Sequence, residues 1–202
     1  MSDTEDRRWI HDMTTKIFIL SGPSGAGKTT LLNILLRKKN IQKKFVRAIS
    51  FTTRKQRPGE KEGRDYFFIR KDEFLALKKK DFFLESQKVF DNYYGTPRYF
   101  YEKAKEEGKN LILCIDVKGG MYLKSKYKLG KIVALFITAP SELHLRSRLK
   151  SRVESEETIQ KRVALSKEEM EFAKHYDGII INEDLKKASA ALGKIILQKL
   201  NN

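Results

Sequence analysis

The residues best equipped for chemistry are Gly22-Pro23-Ser24-Gly25-Ala26-Gly27-Lys28-Thr29, which fit the phosphate-loop spacing G-x-x-x-x-G-K-[ST]. In such a loop successive backbone N–H groups turn into one concavity, and the dipole of the following helix adds partial positive charge there. Lys28 would reach the outer phosphates and the Thr29 hydroxyl would ligate Mg²⁺. The flanks suit the motif. Ile17-Phe18-Ile19-Leu20 reads as a buried strand, and Thr30-Leu31-Leu32-Asn33-Ile34-Leu35-Leu36 as a helix with its four leucines inward. A chance glycine-rich turn would not carry both flanks. Gly22 to Thr30 therefore predicts a site for a nucleoside triphosphate.

A phosphate loop alone does not say what the triphosphate is used for, and three other constellations bear on that. Arg54 and Arg57 stand three apart beside the turn at Pro58-Gly59, with Tyr66 shortly after. Two guanidinium groups there would converge on one anion through bidentate hydrogen bonds, with the tyrosine hydroxyl as a neutral donor. Glu85 follows Phe82-Phe83-Leu84, an odd place for a solvated carboxylate, and Asn92-Tyr93-Tyr94-Gly95-Thr96-Pro97 comes soon after. A partly enclosed carboxylate there would accept the N1–H and 2-amino donors of guanine together, which adenine does not offer. Taken alone, a glutamate at a strand edge is the simpler reading. Finally, Leu111-Ile112-Leu113-Cys114-Ile115 runs into Asp116, followed by Gly119-Gly120. In doubly wound sheets the ligand crevice lies at the carboxyl ends of strands, so Asp116 would face it.

These side chains need a scaffold. Besides the strand before the loop, Val46 to Phe51, Leu111 to Ile115, Ile132 to Ile137 and Ile179 to Ile181 read as core strands. Ile159, Val163, Met170 and Ala173 mark one face of a long helix; Leu185, Ala188, Leu192, Ile195 and Lys199 trace a terminal one. Strands alternating with helices predict a mostly parallel five-stranded α/β sheet with helices on both faces. The stretch of about 50–99 breaks this rhythm with Pro58, Gly59, Gly63, Gly95, Pro97 and several aromatics, and predicts a small inserted lobe. Residues 1–14 are polar and mixed in charge, and read as a flexible lead-in to one domain over 15–202.

Composition narrows the partners. The 202 residues are 40% hydrophobic, enough for one good core, and no apolar run approaches membrane-spanning length. Cys114 is the only cysteine, which rules out an intrachain disulfide and suits a reducing cytoplasm. The net charge of +16 invites a nucleic-acid reading. The lysines are scattered in short clusters such as Lys78-Lys79-Lys80, however, so a solvated basic surface is the better explanation and no nucleic-acid partner is expected.

Taken in order, the blocks GPSGAGKTTL, SFTTRKQRPGEKEGRDY, FLE, NYYGTP, IDVKGG, APSELHLRSRL and INEDL make the sequence resemble the guanylate kinase family from about residue 16 to about residue 200. The resemblance implies Mg²⁺-dependent transfer of the ATP γ-phosphoryl group to GMP, giving GDP and ADP, by a monomer or homodimer. It implies GMP phosphate contacts from Arg54, Arg57, Tyr66 and Tyr94, and guanine contacts from Ser50, Glu85, Thr96 and Asp116. The inserted lobe becomes a mixed α/β GMP-binding lobe. The segment of about 141–163 becomes a helical lid whose Arg148, Arg152 and Arg162 join Lys28 and Arg54 as catalytic groups. The chain departs from the family pattern at Cys114, where a carboxylate is usual, and at Lys118, where a glutamine is common. Its lid turn Arg152-Val153-Glu154-Ser155-Glu156 also lacks the usual R-G-T. The alternative from another class is a non-catalytic guanylate-kinase-like interaction domain, which typically has a degraded nucleotide site.

Overall fold

Five strands, β1 (Ile17–Ser21), β2 (Phe45–Arg47), β7 (Asn110–Cys114), β8 (Ile132–Thr138) and β9 (Gly178–Ile181), form a parallel sheet in the order β2-β7-β1-β8-β9. The computed structural model describes residues 15–127, 131–151 and 155–201. All five residues of β1 are buried, as befits the central strand of a parallel sheet. Val46 stands opposite Leu111, and Phe136 opposite Ile179. The strand β9 lies at the sheet edge, so only Ile180 of its isoleucines is buried, while Ile179 and Ile181 are 51% and 59% exposed. The sequence pattern had marked all three as core.

A second sheet has the order β4-β3-β6-β5, built from β3 (Phe51–Thr52), β4 (Phe67–Phe68), β5 (Phe83–Val89) and β6 (Asn92–Pro97). It is mixed: β3 runs parallel to β4 and antiparallel to β6, and β5 runs antiparallel to β6. The helix α3 (Lys71–Lys79) buries Phe74, which stacks on Phe83 with ring centroids 4.5 Å apart. The apolar run from Val46 to Phe51 thus proves to be parts of two strands in two sheets rather than one strand. Between them, the Ser50 hydroxyl lies 3.1 Å from that of Thr96 on β6.

By contacts the chain falls into two compact units, one including Lys44–Ile132 and the other Phe18–Lys43 with the residues from Val133 onward. In the second, α1 (Lys28–Leu36) buries Leu31, Leu32 and Leu35, with Leu36 half-buried. The terminal helix α8 (Leu185–Asn201) buries Ala188, Leu192 and Ile196, so its inward stripe runs through Ile196 rather than Ile195. Its Gly193 lies against Leu35 of α1. The helices α6 (Glu142–Lys150) and α7 (Glu156–Glu171) share a small core of Leu149, Ile159 and Val163. Met170 points outward, yet its sulfur accepts a hydrogen bond from Thr138.

Candidate active site

The unit containing α1 holds the phosphate loop. The loop leaves the carboxyl end of β1 and enters α1 at Lys28, the strand–loop–helix context the motif requires. Two of its glycines are dictated by space and backbone. A Cβ on Gly22 would stand 2.0 Å from the Ile137 carbonyl oxygen of β8. Gly27, the N-cap of α1, has φ +88°, and a Cβ there would meet the Asn182 amide nitrogen at 2.2 Å. Lys28 Nζ donates to the carbonyl oxygens of Gly22 (2.6 Å) and Pro23 (2.9 Å), which holds its ammonium over the loop mouth. Thr29, on the first turn of α1, is half-buried.

The same unit brings two of the three expected lid arginines to this loop. Arg162 of α7 donates to the Ser24 hydroxyl at 2.9 Å. Arg148 of α6 donates through one terminal nitrogen to the Asn182 carbonyl oxygen at 2.7 Å, while its other terminal nitrogen is buried with no hydrogen-bond partner. A buried guanidinium N–H left unbonded is costly, so this atom is prepared for an incoming acceptor. Arg152 lies outside the described residues. The helices that carry these arginines start at Ser141 and Ser155, whose hydroxyls accept from the backbone N–H groups of His144 and Thr158. An ion pair from Arg146 to Glu156 links the two helices.

Asn182 carries no signal in the sequence beyond being the second residue of the INEDL block. It is 4% exposed, and its side-chain amide donates to the Ala26 carbonyl oxygen at 2.8 Å. Its own carbonyl takes Arg148, so one residue at the end of β9 supports both the loop and the arginine. No local pattern announces this, because the partners are 156 and 34 residues away.

The other unit gathers a second set. Arg54 donates to both carboxylate oxygens of Glu60, at 2.8 and 3.0 Å, and its guanidinium lies over the Tyr66 ring at 5.4 Å. Burial, the largest single influence, would lower the Arg54 pKa, but the hydrogen bond to Glu60 together with the charges of Tyr94, Glu60 and Tyr66 outweighs it and the net shift is upward, so the charge is secure. Tyr66 and Tyr94 stand edge to face with ring centroids 6.0 Å apart. Burial, with the nearby Cys114 and Tyr94, pushes the Tyr66 hydroxyl well above its ordinary pKa, so it stays a neutral donor. Arg57 joins this cluster through its backbone N–H, which donates to Glu60 at 2.8 Å. Glu60 was legible in sequence only as one residue of a block; the structure makes it the brace between Arg54 and Arg57.

Glu85 proves to be buried, at 3% exposure, rather than a solvated edge glutamate. The cause is a bulge. Between Phe83 and Glu85 the register against β6 slips by one residue, so Phe83, Leu84 and Glu85 are all turned inward where strict alternation would expose one. Thr96 donates to Glu85 Oε1 at 2.7 Å, and the Ser50 and Thr96 hydroxyls are 3.1 Å apart. Glu85 Oε2 is buried with no hydrogen-bond partner. Asp116 caps α5 (Val117–Lys126), accepting from the Gly119 N–H at 2.9 Å. Burial first, and the Asp116 charge second, push the Glu85 carboxyl up to about 8.

A phosphate loop at the end of the central strand of a parallel sheet, with converging arginines, defines a P-loop phosphotransferase-type nucleotide-binding protein. The guanylate kinase family profile matches residues 14–199. A guanylate kinase of Caldanaerobacter subterraneus subsp. tengcongensis is 42% identical over 182 residues, covering 90% of this chain and 86% of the relative. A guanylate kinase of Rhizobium meliloti is also 42% identical, over 181 residues, with 89% and 81% covered. The crystal structure of a guanylate kinase from Anaplasma phagocytophilum superposes with a TM-score of 0.76 at 30% identity, covering 95% of this chain and 89% of that one. The chain belongs to the guanylate kinase family, and these named relatives support an enzyme over a non-catalytic interaction domain.

Proposed function

We propose that the chain transfers the γ-phosphoryl group of ATP to a phosphate oxygen of GMP, breaking the bond to the β-phosphate and releasing ADP and GDP. The observation that carries the guanine half is the buried chain Ser50–Thr96–Glu85, which ends in an unbonded carboxylate oxygen. Guanine presents N1–H and a 2-amino group side by side, the donor pair such a carboxylate accepts. Arg54, Arg57, Tyr66 and Tyr94 serve the GMP phosphate, with Glu60 holding Arg54 in place. The acceptor is a phosphate monoester, largely dianionic near neutral pH because its second pKa is about 6, so no general base is required. The barrier is electrostatic: Lys28, Arg148 and Arg162 supply preorganised donors where charge develops, and Arg152 adds its charge.

Thr29, half-buried on the first turn of α1, would hold Mg²⁺ through its hydroxyl, and the ion would supply charge neutralisation on the transferring group. The chain's single cysteine suits the reducing setting of a cytoplasmic enzyme. No helix among the described residues is long and apolar enough to cross a membrane.

A coupled assay of ADP release with GMP, IMP and AMP as acceptors tests this reading. Hydrogen bonds to a charged group are worth about 1.5–3 kcal/mol each, so two of them predict at least about 10²-fold preference for GMP over AMP. IMP falls between, as it keeps N1–H and lacks the amino group. Equal use of AMP refutes the assignment.

Acidity supplies a second test. The ionised form of Glu85 is the one that accepts from guanine, while the empty site favours the protonated form up to about pH 8. The KM for GMP therefore falls as pH rises from about 6 toward about 8, by up to about tenfold per unit, and levels off above. The KM for ATP stays flat over that range. A KM for GMP that ignores pH would mean that Glu85 is ionised throughout or does not touch the base.

A further inference from the structure

Gly119 occupies the third position of α5, where a glycine is locally wrong. Its backbone is ordinary right-handed helix, and alanine there would be favoured by helix propensity by about a kilocalorie. The reason for the glycine lies across from it. A Cβ at this position would stand 2.7 Å from Glu85 Oε2 and 3.4 Å from the carboxyl carbon of Glu85, with Ile115 at 3.5 Å. The crowded atom is the same Oε2 that is buried and without a hydrogen-bond partner. On its other side, the Gly119 N–H binds Asp116 Oδ1. The N–H of this residue thus holds one carboxylate, while the other lies where its side chain would begin.

We infer that Gly119 is a specificity-determining positioning residue: the missing side chain leaves Glu85 Oε2 room to meet the base, and its N–H fixes Asp116 beside it. This rests on the guanine-site reading above. Glu85 is tethered at Oε1 by Thr96 alone, so a methyl group at 119 swings the free end of the carboxylate about that tether. The end of a flexible side chain yields without disturbing backbone, so the helix stays folded. What is lost is the aim of one charge-assisted acceptor.

The test is Gly119→Ala, alone and combined with Glu85→Gln, read as kcat/KM for GMP and IMP, KM for ATP, and thermal midpoint. The alanine variant is expected to keep a thermal midpoint at or above that of the parent and an unchanged KM for ATP. Its KM for GMP rises by about 10- to 100-fold, the loss of one hydrogen bond to a charged acceptor, and its preference for GMP over IMP shrinks accordingly. Because both substitutions act on the same bond, adding Glu85→Gln to Gly119→Ala costs far less than it does in the parent. A parental GMP-to-IMP ratio in Gly119→Ala, with Glu85→Gln still lowering that ratio, overturns the role of Gly119 and leaves the guanine site standing. If neither substitution moves the ratio, the guanine-site reading falls, and the inference with it. Costs that multiply in the double variant, or an alanine variant that does not fold, also overturn it, since each would place the effect of position 119 elsewhere than on the Glu85 carboxylate.

Discussion

Arg148→Lys is expected to lower turnover at saturating substrates by about 10³-fold, the lower end of what an arginine that stabilises a transferring phosphoryl group contributes. The side chain is held at one terminal nitrogen by the Asn182 carbonyl oxygen, and the other is buried and unbonded. Only a planar fork can do both at once: anchor itself on the protein with one nitrogen and present the second to an oxyanion. An ammonium carries the charge but must choose between Asn182 and the phosphate. The KM for GMP should change little, because the GMP-facing set lies on other elements. Steady-state kinetics with saturating GMP decide it. Normal turnover with a collapsed GMP affinity would move Arg148 to the acceptor site.

Removing the Lys28 side chain as Lys28→Ala is expected to reduce turnover by about 10²- to 10³-fold, the usual cost of deleting one preorganised charge donor at a site of developing negative charge. Lys28 also donates to the carbonyl oxygens of Gly22 and Pro23, so its loss frees the loop mouth as well. The fold should survive, because Gly22 and Gly27 set the path of the loop through close approaches to Ile137 and Asn182 that owe nothing to the lysine. Circular dichroism and thermal melting would show an intact protein, and the ADP-release assay a nearly inactive one. Near-normal activity in that folded variant would remove Lys28 from the reaction.

The sequence by itself determined the phosphate loop, because everything that makes it work is local. The strand Ile17–Ser21, the glycines and the helix that begins at Lys28 are contiguous, and their burial follows from the apolar run and the leucine spacing. The unusual position of Glu85 after three apolar residues also hinted at enclosure. Only the tertiary structure decided that Glu85 is buried, because a bulge in β5 overrides the two-residue alternation on which strand reading depends. The hydroxyl relay to that carboxylate joins Ser50 to Thr96 across 46 residues, and the support of Arg148 by Asn182 spans 34. Long-range bonds of this kind leave no periodicity in the chain. The same holds for the division of Val46–Phe51 between two sheets and for the exposed isoleucines of β9: hydrophobicity says that a segment is strand-like, while neighbours on each side say whether it lies inside or at an edge.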